Sequence, residues 1–229
     1  MTNLRESLTQ VRERIERACS AAGRPSDTVQ LLAVSKTFGA DQVRAAAALG
    51  QRAFGENYVQ EAMAKQADLA DLALEWHFIG PVQSNKTREL AMHFDWVHGV
   101  DRPRIAQRLS DARDPGQPSL QVCVQVNISG ETSKSGCDPR EAPELCAAVA
   151  ALPRLRLRGL MAIPAPAGPA DDPHEPYRRL RTLFERIRAA GIRLDTISAG
   201  MTDDLEAAIA EGSTLVRVGT AIFGRRDAT

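Results

Sequence analysis

Only four of the 29 cationic residues in this 229-residue chain are lysines: Lys36, Lys65, Lys86 and Lys134. Arginine serves wherever a solvated positive charge suffices. A lysine that ends an apolar run is therefore a candidate for amine chemistry, which arginine cannot perform. Lys36 is such a residue, directly after VQLLAVS (Val29 to Ser35). Desolvation favours the neutral amine, and a neutral amine adds to carbonyls. The alternative is a lysine snorkelling from a strand end to water. A second polar cluster lies near the other terminus. SAGMT carries the Ser198 and Thr202 hydroxyls, with Gly200 for close backbone approach; VGTAIFG adds Gly219 and Thr220. With a helix starting at Thr202 or Asp203, these groups could cradle a phosphate, although ordinary turns favour the same residue types. Arg217 stands between Val216 and Val218. An inward-facing arginine needs an acceptor, either a carboxylate on a neighbouring strand or a heteroatom of a ligand.

Other chemistries find less support. His77, His93, His98 and His174 show neither HxH nor HExxH spacing, so no metal site is expected. His77 either lines a pocket or packs in the core. Asp203 and Asp204 read as first-turn helix charges rather than as an acid–base pair. Cys19, Cys123, Cys137 and Cys146 have no CxxC spacing, so reduced thiols are expected. Cationic and anionic residues number 29 each. That balance leaves no global field to draw nucleic acid or an anionic membrane. No apolar run reaches the roughly 18 residues of a membrane-spanning helix. The charged start, MTNLRESLTQVRERIERACS, has no secretory core. The expectation is a cytoplasmic protein and, with no apolar stripe left over, a monomer.

The elements that position these residues alternate along the chain. Leu4, Leu8, Val11, Ile15 and Ala18 recur at helical spacing, and that helix stops before Gly23 and Pro25. Val29 to Ser35 reads as a strand buried on both faces, as in a parallel sheet. Seven further strand candidates follow: Arg52 to Glu56, Trp76 to Gly80, DWVHGV, Leu120 to Ile128, RLRGLMAI, LDTIS and STLVRVG. Helical patterns follow the first seven strands, among them Val59 to Leu69, Ser84 to His93, Pro103 to Arg113, Pro139 to Ala151 and Tyr177 to Ala190. Such alternation implies right-handed βαβ units. Eight units in this length predict an α/β fold, a single (β/α)8 TIM barrel spanning 1–229 with an extra N-terminal helix. A doubly wound open sheet is the alternative. PAPAGPADDPHEP reads as a long loop within the barrel, because the alternation resumes after it. Barrel chemistry sits at the C-terminal strand ends, where Lys36, the SAGMT segment and Arg217 fall. A strand-end amine, a phosphate cradle and an inward arginine suit a ligand bearing an aldehyde and a phosphate. Class I aldolase substrates fit in outline, and pyridoxal 5'-phosphate (PLP) fits better because its ring nitrogen gives Arg217 a partner.

Several motifs, in order, carry a resemblance: LAVSKT, FGENYVQE, WHFIGPVQSNK, VQVNISGETSKSG, GLMAIP and GSTLVRVGTAIFGRR. They resemble the PLP homeostasis family, whose fold is similar to the N-terminal barrel of alanine racemase, and the resemblance runs from the first helix to Arg226. It implies that Lys36, in VSK, forms an internal aldimine with PLP, and that Asn57, in FGEN, lines the cofactor pocket. It implies that Ser198, Gly200 and Thr202 hold the phosphate with Gly219 and Thr220, and that Arg217 faces the pyridine nitrogen. Ala199 and Thr202 depart from the family's usual Met and Ser. Threonine keeps the hydroxyl, whereas Ala199 alters local packing. Lys134 is read either as a second contact for PLP or as an exposed loop lysine.

The resemblance further implies a PLP carrier that acts in vitamin B6 and amino-acid homeostasis without established turnover, with apo PLP-dependent enzymes as recipients. The physics agrees, because a permanent cation at the ring nitrogen disfavours the protonated pyridine that makes PLP an electron sink. Racemases of similar fold add a tyrosine base from a C-terminal β domain. This chain is expected to have no such domain, since it ends at Thr229 and contains only Tyr58 and Tyr177. The alternatives are a PLP-dependent racemase working as a lone barrel and a class I aldolase.

Overall fold

The computed structural model describes residues 3–131, 135–166, 168 and 171–224. Eight parallel strands close into one barrel in chain order, β1 to β8. They are β1 (Gln30–Val34), β2 (Ala53–Glu56), β3 (Glu75–Phe78), β4 (Trp96–Val100), β5 (Leu120–Gln125), β6 (Leu155–Met161), β7 (Thr196–Ser198) and β8 (Leu215–Val218). Closure comes from β8 pairing with β1, where Leu32 lies opposite Arg217 and Ala33 opposite Val218. This is the expected (β/α)8 fold, and the closed ring excludes the open sheet. Most strands are buried on both faces, as β2, β4 and β8 show along their whole length. Side chains fill the inside of the barrel and helices cover the outside.

The helices are α1 (Leu4–Ala21), α2 (Ala40–Ala48), α3 (Val59–Asp68), α4 (Thr87–His93), α5 (Pro103–Ala112), α6 (Ala142–Ala150), α7 (Glu175–Ala189), α8 (Leu205–Ala210) and α9 (Thr220–Phe223). Helix α1 starts where the Asn3 side chain accepts the Arg5 N–H, and it buries Leu8, Val11, Ile15 and Ala18. It packs against α2, α8 and α9. The predicted extra helix therefore takes a place in the outer ring. Helix α9 has four residues, too few to show a period in sequence, and α1 packs beside it.

Most predicted elements lie within a few residues of these bounds, and the differences have local causes. Helix α4 is preceded by a 3₁₀ turn over Ser84–Lys86. Strand β5 ends at Gln125 rather than Ile128, and Val126 makes only an isolated bridge to Cys137. Helix α6 starts at Ala142, because Asp138 opens a turn in which its carbonyl accepts the Glu141 and Ala142 N–H groups. Helix α8 starts at Leu205, not at Thr202 or Asp203, so residues 202–204 form a turn at the barrel mouth. The short ladder between β7 and β8 has one register pair, Ser198 with Leu215. Two bonds reinforce it: the Ser213 hydroxyl donates to the Ala199 carbonyl at 2.7 Å, and the Arg217 N–H donates to the Gly200 carbonyl at 2.9 Å.

Candidate functional site

At the end of β1, the backbone around Lys36 is held by a buried charge cluster. Lys65, on α3, donates from Nζ to the Ser35 carbonyl at 2.8 Å, to Glu56 Oε1 at 2.8 Å and to Glu61 Oε1 at 2.6 Å. The Ser35 hydroxyl donates to Glu56 Oε1 at 2.6 Å, and the Thr37 N–H donates to Glu61 Oε1 at 2.5 Å. The neighbours of Lys36 on both sides are thus tied to one cluster. Thr37 has a φ of 71°, a left-handed conformation rarely held by a non-glycine residue. That kink turns the chain at Lys36, which is half-buried. Burial raises the Glu56 carboxyl above its ordinary range, against the hydrogen bonds of Lys65 and Ser35. Its Oε2 has no protein partner.

Arg217 sits across the barrel on β8 and is 4% exposed. It donates from NH1 to the Ser198 carbonyl at 2.6 Å and to Ser198 Oγ at 2.8 Å, and from NH2 to the Ala162 carbonyl at 2.9 Å. Among the described residues no carboxylate forms an ion pair with it. Of the two acceptors considered from sequence, the neighbouring-strand carboxylate is therefore not the one used. Burial pushes its guanidinium down to about 10.

Between these two sides lies a cavity of ≈ 260 Å³ at the C-terminal mouth of the barrel. Lys36, Asn57, Thr202, Arg217, Gly219 and Thr220 line it, together with Asp203 and the apolar Val34, Phe38, Ile79, Ile163 and Met201. Six of the eight residues singled out in sequence are brought together. Ser198 and Gly200 are not at the wall. Ser198 is fully buried behind it, with its hydroxyl engaged by Arg217 and His98. Gly200 has a φ of 93°, and a Cβ there would come within 2.6 Å of the Ala208 Cβ. Its role is to let the SAGMT segment turn tightly against α8. Ala199 is likewise buried, so its departure from the usual Met falls on packing. Lys134 lies outside the described residues. His77 does not line the cavity; it is buried beneath it.

The donor set matches what PLP requires. A primary amine, a guanidinium and a threonine-glycine rim share one cavity, with apolar walls for a flat ring. Asn57 Oδ1 is buried and has no protein partner, and such an atom in a native fold calls for an explanation. A ligand donor in the cavity supplies one. Gly219 runs so close to β1 that a Cβ would lie 3.1 Å from the Val34 carbonyl. The backbone at Gly219 and Thr220 can thus wrap the cavity closely.

Sequence reasoning missed the Glu56–Lys65–Glu61 cluster and the connection of Ser198 to the histidines. A signal for the first was present. Glu61 and Lys65 are four apart on one helix, and Lys65 falls three residues after Ala62, on the face that α3 buries. The second joins strands far apart in the chain and left no local pattern.

Comparison with known proteins agrees with this geometry. The family described as alanine racemase, N-terminal domain, matches residues 7–227. A pyridoxal phosphate homeostasis protein from Pseudomonas aeruginosa is 59% identical, over 99% of this chain and 97% of the relative. One from Escherichia coli K12 is 53% identical, over 99% and 98%. The structure of PipY from Synechococcus elongatus with PLP bound is 38% identical and superposes with a TM-score of 0.84, over 97% of this chain and all of that one. An alanine racemase from Clostridium difficile, 15% identical with a TM-score of 0.74, shares the fold; this chain covers 58% of it. The polar groups at the barrel mouth thus stand in a chain that belongs to the family of pyridoxal phosphate homeostasis proteins.

Proposed function

We propose that this protein binds PLP at the mouth of its barrel and holds it for intracellular vitamin B6 and amino-acid homeostasis, with Lys36 as the residue of covalent attachment. The observation that carries this reading is the convergence of Lys36, Arg217 and the unpartnered Asn57 Oδ1 on one cavity. The relatives' names and the PLP in the PipY structure support it. When bound, PLP supplies an electron-poor aldehyde that reacts with primary amines. Lys36 Nζ would be the amine that attaches it. Thr202, Gly219 and Thr220 hold the phosphate, Ser198 and Gly200 shape the wall behind it, Asn57 accepts a ligand hydrogen bond, and Arg217 faces the ring nitrogen.

The role is carriage rather than turnover. Racemisation needs a proton donor on each face of the ligand. Tyr177 is buried, and its hydroxyl donates to Asp204 Oδ2 at 2.6 Å; burial and that carboxylate raise the phenol well above its ordinary range. Tyr58 is 56% exposed on the rim. Arg217, a lasting cation, weakens the electron sink that catalysis uses. Apo PLP-dependent enzymes are the recipients in this reading, and the carrier acts as a cytoplasmic monomer. Among the described residues no helix is long and apolar enough to cross a membrane.

Borohydride treatment followed by intact mass and peptide mapping tests the central claim. The expected result is one pyridoxyl phosphate adduct, on the peptide carrying Lys36, absent in Lys36→Ala. No adduct after incubation with excess PLP overturns the reading and reopens that of a sugar-phosphate aldolase. Formation of a D-amino acid that depends on Lys36 would favour the racemase instead.

A further inference from the structure

A chain of hydrogen bonds runs through the barrel interior beneath the cavity. Arg217 NH1 donates to Ser198 Oγ at 2.8 Å. Ser198 Oγ is 2.9 Å from His98 Nδ1, and His98 Nε2 is 2.9 Å from His77 Nδ1. His77 Nε2 is 2.7 Å from Glu75 Oε1. Both histidines and Ser198 are fully buried. Glu75 is the first residue of β3, at the opposite end of the barrel from the cavity, and its side chain is 40% exposed. The chain therefore crosses from one face of the barrel to the other.

The proton inventory permits one order. A carboxylate only accepts, so His77 Nε2 carries a hydrogen. A neutral imidazole then leaves His77 Nδ1 as an acceptor, which requires the hydrogen on His98 Nε2. His98 Nδ1 is in turn an acceptor and takes the Ser198 O–H. The Ser198 oxygen accepts from Arg217, which can only donate. Every bond points from guanidinium to carboxylate. Neutral imidazoles agree with their surroundings. Burial lowers both, and although Glu75 and Asp95 draw His77 upward, His98 faces His77 and Arg217, which both disfavour a charge. His77 also stacks on Trp96, with ring centroids 5.1 Å apart and planes within 9°. A side chain stacked this way has little freedom to reorient.

We propose that Glu75, His77, His98 and Ser198 are positioning residues that act through Arg217, fixing its guanidinium toward the cavity from the far end of the barrel. The need for such support is physical. A buried cation is costly, and among the described residues no carboxylate forms an ion pair with Arg217; Asp204 acts on it only through space. Polarisable imidazoles in a low-dielectric interior couple such ends more strongly than separate bonds do. The inference rests on reading the cavity as the PLP pocket.

The test uses the full chain. Long-range ¹⁵N–¹H spectra of the histidines are recorded without and with PLP, and PLP is titrated by absorbance into wild type and Glu75→Gln. Without PLP, His77 and His98 are expected as neutral Nε2–H tautomers. With PLP, both signals move, although neither residue lines the cavity. The Glu75→Gln amide can donate as well as accept, so the order is lost. The His77 tautomers mix, the absorption band of bound PLP shifts, and the Kd rises by about two- to tenfold, the effect of one hydrogen bond. Unfolding midpoints of both proteins separate this from loss of fold. Imidazolium or Nδ1–H signals in the unliganded wild type overturn the relay without any variant. PLP binding that leaves both histidine signals and the Glu75→Gln affinity unchanged also overturns it. A wild type that takes up no PLP overturns the reading of the cavity instead, and the tautomers of the unliganded protein still decide the relay.

Discussion

Two buried polar networks flank the cavity, and they solve the same problem in opposite ways. On the Lys36 side, Lys65 is packed among Glu56, Glu61 and the Ser35 carbonyl, with charge meeting charge at 2.6–2.8 Å. On the Arg217 side the cation meets a hydroxyl and two carbonyls, and the nearest chain of hydrogen bonds to a carboxylate passes through two neutral imidazoles. The first network is compact and confined to β1, β2 and α3. It holds backbone and so fixes where Lys36 leaves the strand. The second draws on β3, β4, β7 and β8 and holds a side chain whose remaining N–H groups are available to a ligand. Local ion pairing suits a rigid pivot. A neutral relay holds the Arg217 guanidinium at the cavity without an ion pair, although Asp203 shares that cavity and Asp204 acts on Arg217 through space.

The comparison can be broken most forcefully at Lys65. Lys65→Met leaves the Glu56 carboxylate buried without its cation, and removing one partner of a buried pair costs about 3–5 kcal/mol. Denaturant unfolding at pH 7 should show that loss. The deficit also has a pH signature. Glu56 has a folded-state value raised by burial, and the variant removes the amine that opposes the rise. An acid raised on folding contributes stability below its unfolded value and loses it as pH rises through the folded value. The gap between wild type and Lys65→Met should therefore narrow as pH falls from about 7 to about 5. A gap that widens on acidification would show that Glu56 is not the group left exposed to the loss.

Gly200→Ala comes next. It forces a left-handed φ on alanine and sets a Cβ against Ala208, which costs about 1–3 kcal/mol. It should lower PLP uptake with it, because the cavity wall in front of Gly200 shifts. Retained uptake in a destabilised variant would separate the turn from the pocket.

The neutral relay makes a smaller, pH-dependent mark. His77 and His98 are lowered on folding by burial, so the unfolded chain binds more protons below about pH 6.5. Their share of the stability should be constant above that pH and should fall by up to about 1.4 kcal/mol per pH unit for each such imidazole below it. His98→Gln should remove one imidazole's share of that slope. An unchanged slope in unfolding series from pH 7 to 5 would mean that His98 is not held neutral.

The smallest effect on stability is expected at Asn57. Its Oδ1 has no protein partner to lose, so Asn57→Ala should change the unfolding free energy by less than about 1 kcal/mol while weakening PLP binding in an absorbance titration. A large loss of stability with intact binding would assign Asn57 to the scaffold.

The alternation of apolar runs with helical spacing was legible in sequence because both periods are local, and so the barrel was legible too. Lys36 was legible as well, since a lysine after VQLLAVS in an arginine-rich chain is an anomaly of composition. The cavity rim was legible only in outline. Thr202, Gly219 and Thr220 line it, but Ser198 and Gly200 lie behind the wall, because inward and outward positions at the end of a three-residue strand cannot be told from so short a run. Helix α9 and the role of α1 in the ring escaped for a related reason: four residues carry no period, and the neighbours of α1 are set by closure.

What the sequence determined by itself is the succession of elements and the residue types at the strand ends, since propensity and burial pattern act over a few residues. Tertiary structure alone decided which of those ends meet. Closing β8 onto β1 sets Arg217 opposite Leu32 in register and brings Lys36, Asn57 and Thr220 around one cavity. It also stacks His77, His98 and Ser198 from three separate strands into contact. Hydrogen bonds between residues 21 and 100 positions apart in the chain have no local signature. They exist because the barrel interior excludes water and every polar group inside it must find a partner there.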